Sequence, residues 1–161
     1  MYIFMEGFDM KQYEINKNTY AIIYLGLDKS LVIEKNDQFE VNLSTTKIVD
    51  KSCKFFGSSY LGRLKGTKEI LGISYKAPII IEESNPIIFF PTLSPRVEGC
   101  SWISLNNLED YYATDKKSIV NFSCGKQLPI DIPYNILDNQ VLRATRLESL
   151  LNKRIKNALN C

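Results

Sequence analysis

Apolar positions in the first fifty residues fall in short β-branched or aromatic runs, not at helical spacing. The runs at 13–15, 20–25, 31–33 and 39–43 are separated by the polar clusters Asn16-Lys17-Asn18, Asp28-Lys29 and Asn36-Asp37. Such an alternation of run and turn predicts a meander of hairpins. The pattern changes at Asp50. Cys53, Phe56, Tyr60 and Leu64 recur every three or four residues, which predicts a helix near 50–65 with one apolar face. Asp50 suits its N-cap and Gly66 its stop. Gly57 and Gly62 would each cost such a helix about 1 kcal/mol relative to Ala, so they imply close approach of another surface or a break.

From Ile70 to Pro133 the runs are again short and punctuated by six prolines. Strands are predicted at 79–81, 87–90, 102–105, 111–113, 119–122 and 128–132, with Cys124-Gly125 as a tight turn. Near 138–159 the period returns to helical. Val141, Ala144, Leu147, Leu151, Ile155 and Ala158 form one stripe, with Arg143, Arg146, Lys153 and Arg154 on the other side. The expected fold is α+β: a single domain over 1–161, built of mostly antiparallel strands, a basic glycine-containing helix and a C-terminal amphipathic helix.

Charge sharpens this picture. The net charge of +2 is small, but its distribution is uneven. Residues 51–76 carry six basic and one acidic side chain, and residues 139–161 carry five and one, in an otherwise acidic chain. Two basic segments in an acidic body point to a localised anion-binding face. The first mixes Lys51, Lys54, Arg63, Lys65 and Lys68 with Ser58 and Gly62, residue types that let a backbone come close to a phosphate-bearing ligand. The second offers Arg143, Arg146, Lys153 and Arg154.

Several chemistries are disfavoured. Gly57 and Gly62 have phosphate-loop spacing, but Arg63 and Leu64 stand where lysine and a hydroxyl residue are needed. With no histidine, the usual general base and the Ser-His and Cys-His pairs are unavailable. Cys53 near Lys51 and Lys54 is better read as a small residue of the apolar face than as a nucleophile. Cys53, Cys100, Cys124 and Cys161 lack zinc-site spacing, so no metal or cofactor is expected. No secretory signal or membrane span is read, and the expected location is the cytoplasm, with reduced thiols.

The stretch 48–60, IVDKSCKFFGSSY, followed by Gly62-Arg63 and Gly66-Thr67, closely resembles the competence transcription factor (ComK) family of Gram-positive bacteria. Three later stretches follow in family order. They are Phe89-Phe90-Pro91-Thr92-Leu93-Ser94, Cys100-Ser101-Trp102-Ile103-Ser104, and Leu128-Pro129-Ile130 running on to Tyr134-Asn135 and Asn139-Gln140-Val141. The resemblance spans roughly Tyr13 to the last helix. Longer members continue into a charged tail, whereas this chain stops at Cys161.

The resemblance implies a non-enzymatic, sequence-specific activator of DNA-uptake genes, associated with the nucleoid. It would bind paired A/T-rich boxes of double-stranded DNA, mainly from the minor groove, as a homodimer or dimer of dimers. RNA polymerase and an adaptor-fed protease would be further partners. A-tract minor grooves are narrow and negative and attract Arg or Lys. Arg63 would therefore lead, aided by Lys51, Lys54, Lys65 and Lys68, with the C-terminal helix adding phosphate or dimer contacts. The rival expectation is a protein-interaction regulator that sets the same basic face against an acidic partner.

Overall fold

The computed structural model describes residues 10–160. The reading of the extreme N-terminus and of Cys161 lies outside them. Strands β1 (Thr19–Gly26), β2 (Lys29–Glu34) and β3 (Gln38–Val41) lead into helices α1 (Thr45–Phe55) and α2 (Tyr60–Leu71). Then follow β4 (Ile79–Glu82), β5 (Ile87–Pro91), β6 (Trp102–Ser104), β7 (Leu108–Thr114), β8 (Lys117–Phe122), β9 (Gln127–Ile130) and the long α3 (Tyr134–Leu159). Six strands form one sheet in the order β3-β2-β1-β6-β5-β4, and β7-β8-β9 form a second. Every pairing is antiparallel. The α+β expectation therefore holds.

The six-stranded sheet is covered on both faces. On one, Ile22, Val32, Ile79, Ile81, Phe89 and Trp102 pack with Ile48, Val49 and Cys53 of α1. On the other, Ala21, Ile80, Ile88, Phe90 and Ile103 pack with Val120 and Phe122 of β8 and with Leu137, Ala144 and Leu147 of α3. Burial on both faces explains the unbroken apolar runs at 79–81 and 87–90, where a one-sided strand would alternate. Leu151 is the last fully packed residue of the α3 stripe. Ile155 is half-buried and Ala158 exposed, so the helix runs on past its core.

Three sequence expectations are corrected. Residues 13–15 form no strand; Ile15 is buried against α1, its N–H donating to Ser52 Oγ at 2.9 Å. The helix expected near 50–65 is two helices. Gly57 has φ +83°, and the Gly57 and Ser58 N–H groups donate to the Lys54 and Cys53 carbonyls at 3.0 Å each, a Schellman end that a non-glycine residue fits poorly. Ser44 and Ser59 are the true N-caps, donated to by the Lys47 and Gly62 N–H groups, each worth about 1 kcal/mol. Gly66 lies inside α2, and Gly72, at φ +67°, ends it. Finally, α3 starts at Tyr134 after Pro133, a turn earlier than expected.

Asp50 is not an N-cap but lies inside α1 and ties the two helices together. Its carboxylate accepts from the Tyr60 N–H at 2.9 Å and from Lys54 Nζ at 2.8 Å. The lysine, then the backbone donor, hold the Asp50 carboxyl below its ordinary value against the opposing pull of burial. The predicted apolar face survives the break, because Cys53, Phe56, Tyr60 and Leu64 all pack against the same core.

Candidate nucleic-acid interface

The sequence-predicted cations do not form one row. Lys51 and Lys54 are exposed on α1, lining a shallow depression with Gln12, Glu14 and the two-thirds-exposed Phe55. Ser58 lies half-buried in the turn, and Gly62 lies in the first turn of α2. A β-carbon on Gly62 would meet Ser59 Oγ at 3.2 Å and Ser58 Oγ at 3.4 Å. Glycine there leaves room for both serine hydroxyls, of which Ser59 caps α2.

Arg63 is turned inward. Its side chain is only 14% exposed and forms an ion pair with Glu83 from the β4–β5 turn. Its Nε is buried without a hydrogen-bond partner. Lys65, on the open side of α2, is exposed.

At the far end of α2 the two basic segments meet. α2 packs against α3. Arg143 lies 5.5 Å over the ring of Tyr75 and donates to the Tyr75 carbonyl at 3.2 Å. Gln140, 2% exposed, donates from Nε2 to the carbonyls of Lys76 and Pro91 at 3.1 and 2.8 Å. Together they clamp the α2–β4 connection. Lys76 there sits at φ +51°, a conformation costing a non-glycine residue about 1–2 kcal/mol. Beside this clamp, Lys68, Lys76 and Arg96 line one cleft with Tyr60, Tyr75 and Ser94.

Arg146, Lys153 and Arg154 are exposed along α3, the last two beyond the packed stripe. Sequence reasoning nominated Lys68 and Arg143 but missed Lys76, Arg96, Tyr75 and Gln140 as a group. Arg96 stands alone in an acidic stretch, and only tertiary packing brings it to α2. Lys76 was counted in the basic segment, but its backbone conformation has no sequence mark.

The two buried thiols, Cys53 and Cys100, fit packing. Burial pushes Cys53 up to about 12 and Cys100 up to about 11, so both are neutral and unreactive near pH 7. Among the described residues no group of three or more His, Cys, Asp or Glu side chains could hold a metal ion. No helix among them is long and apolar enough to cross a membrane.

Residues 10–156 match the family described as ComK protein. The chain is 41% identical over 150 residues, covering 91% of this chain and 78% of the relative, to the competence transcription factor of Bacillus subtilis (strain 168). No solved structure matches. The cations of both basic segments, the Gly57 turn and the Tyr75 clamp fall within the matched span, and the chain belongs to the ComK family.

Proposed function

We propose that this protein is a sequence-specific DNA-binding activator of competence genes that recognises A/T-rich boxes, mainly through the minor groove, as a dimer or higher oligomer. The observation that carries this reading is the meeting of the two basic segments around Tyr75, within a chain similar to a competence transcription factor along most of its length. Cations drawn from α2, α3 and two loops onto one face suit a ligand with regularly spaced negative charge. Lys51, Lys54, Lys65, Arg146, Lys153 and Arg154 extend the positive surface beyond the clamp. Arg63 would reach a groove only by exchanging Glu83 for DNA.

The same reading makes the protein non-enzymatic. It works in the cytoplasm on the nucleoid, acts with RNA polymerase, and is limited by an adaptor and protease. Base-edge readout in the minor groove separates A·T from G·C and little more, so preference is expected to be broad within A/T-rich sequence. A gel-shift titration with A/T-rich and G/C-rich duplexes at fixed salt tests it. Tighter binding to the A/T duplex is expected. Equal weak binding to both would instead favour a regulator that docks an acidic protein partner.

A further inference from the structure

We infer that the cleft between one face of α2, the 74–77 connection and the 94–96 loop is a seat for a single phosphodiester group of the DNA backbone. This inference rests on the DNA-binding reading and gives it an address. The cleft measures about 100 Å³, room for a few waters or one tetrahedral anion and far too little for a nucleotide.

Three cations line it: Lys68 from α2, Lys76 from the strained connection and Arg96 from the β5–β6 loop. No carboxylate side chain lines it, and among the described residues none of the three cations is in an ion pair. Four other cations are each held in an ion pair: Lys29 with Glu40, Lys54 with Asp50, Lys117 with Asp131 and Arg63 with Glu83. Three unneutralised positive charges in one small concavity repel each other, and an anion relieves that repulsion.

One effect opposes this. The cleft runs along α2 from Tyr60 to Lys68, and Lys68 lies in the last turn, where the helix dipole presents roughly half a negative charge. Three full positive charges outweigh it. The hydroxyls of Ser74 and Ser94 also line the cleft and can donate to a phosphate oxygen.

The seat is also built to stay open. Lys76 is held in its left-handed conformation by Gln140, whose buried amide fastens the Lys76 carbonyl. Arg143 fastens the Tyr75 carbonyl from the next turn of the same helix. Residues held strained by their surroundings cluster at binding sites, where the geometry must exist before the ligand arrives. Gln140 and Arg143 are positioning residues here; Lys76, Arg96 and Lys68 make the contact. A seat of this kind reads no bases, because phosphate contacts set register and base edges set sequence.

The test uses the Lys76→Gln/Arg96→Gln double variant. Both side chains reach solvent, and an unchanged amide spectrum confirms the fold. Affinity for an A/T-rich and a G/C-rich duplex is measured across salt concentrations. The variant is expected to bind both more weakly by the same factor, and its slope of log K against log[salt] to be shallower by about 1 for one lost phosphate. A Lys29→Gln variant should keep the wild-type slope. In a second arm, inorganic phosphate is titrated into the free protein at constant ionic strength. Amide shifts are expected at 74–77 and 94–97 in wild type and not in the variant.

Wild-type DNA binding with an unchanged slope in the variant overturns the seat, as does a selective loss of A/T preference, which would make these residues base readers. If wild type binds neither duplex, the DNA reading falls. Phosphate shifts at the cleft would then support an anion seat for another phosphorylated ligand, and their absence would remove the seat as well.

Discussion

The two ends of α2 carry cations in opposite electrostatic surroundings. At the N-terminal end, Arg63 is folded against the body of the protein and matched to Glu83. At the C-terminal end, Lys68 faces a cleft shared with Lys76 and Arg96, with no carboxylate in the lining. Both residues add one charge to the basic segment. The first charge is used within the fold, and the second is in no ion pair among the described residues. Charge counted along a sequence measures the sum of these uses; the difference lies in what the β4–β5 turn and the β5–β6 loop bring opposite each residue.

The sharpest way to break the contrast is to release the C-terminal end from α3. Gln140→Leu keeps the volume but leaves the Lys76 and Pro91 carbonyls without their donor. A destabilisation of about 2–4 kcal/mol is expected from two such losses, seen as an earlier urea midpoint. Duplex affinity measured well below that midpoint should fall too, because the Lys76 loop loses its anchor. An unchanged urea midpoint would show that the clamp is not needed.

A smaller effect is expected at the other end. Arg63→Met keeps the packed stem and removes the charge. Glu83 is 59% exposed and returns to water easily, so the cost should be about 1–2 kcal/mol, below that of a fully buried pair. Affinity for an A/T duplex should change by less than about threefold, well under the tenfold that 1.4 kcal/mol represents. A larger drop with an unchanged melting temperature would mean that Arg63 leaves Glu83 for the groove, and the contrast between the ends would vanish.

Asp50 gives a finer probe of the N-terminal end. Its carboxyl is held below its ordinary value, chiefly by Lys54 and then by the Tyr60 N–H. A depressed folded value means the native state binds fewer protons than the unfolded chain. Asp50 therefore contributes stability above its unfolded value near pH 3.8, and loses it as pH falls through the folded value. Asp50→Asn should cost roughly 0.5 kcal/mol at neutral pH, as for an exposed i,i+4 pair. The difference from wild type should shrink in acid. A constant difference down to pH 2 would exclude the ion pair as its source.

The smallest effect on stability is expected at Lys65, between the two ends. Lys65→Ala should leave the melting transition within about 0.5 kcal/mol of wild type. Its salt slope decides whether the positive surface reaches past the cleft along α2. A decrease of about 1 would extend it to Lys65.

Much of this architecture was legible because strand runs and turn clusters are local. All nine strands were foreseen within a few residues, and the α3 stripe from Val141 to Leu151 is buried as its spacing implied. What escaped was the placement of charge. The apolar positions from Cys53 to Leu64 continue at helical spacing across Gly57, so periodicity joined two helices whose separation depends on one backbone angle. The inward turn of Arg63 depends on Glu83, from a strand pair formed later in the chain. The cleft depends on Arg96, which no neighbour in sequence connects to α2. Periodicity reports which face is apolar, while ion pairing is decided by residues far apart along the chain.

The central seam of the large sheet bears on how fast this molecule assembles. β1-β2-β3 and β4-β5-β6 are each joined by short connections or one loop, whereas β1 meets β6 through only two registered pairs, Ala21↔Ile103 and Ile22↔Trp102. The neighbouring bond from the Tyr24 N–H to Ser101 Oγ spans 77 residues of chain. Local hairpins form within microseconds, but closing so long a loop pays its entropy before any contact rewards it. Each half can therefore collapse early, and the joining of the halves sets the rate. Until that closure, the edges of β1 and β6 stand unpaired and open to the wrong neighbour, which makes the newly made chain most vulnerable before its seam has closed.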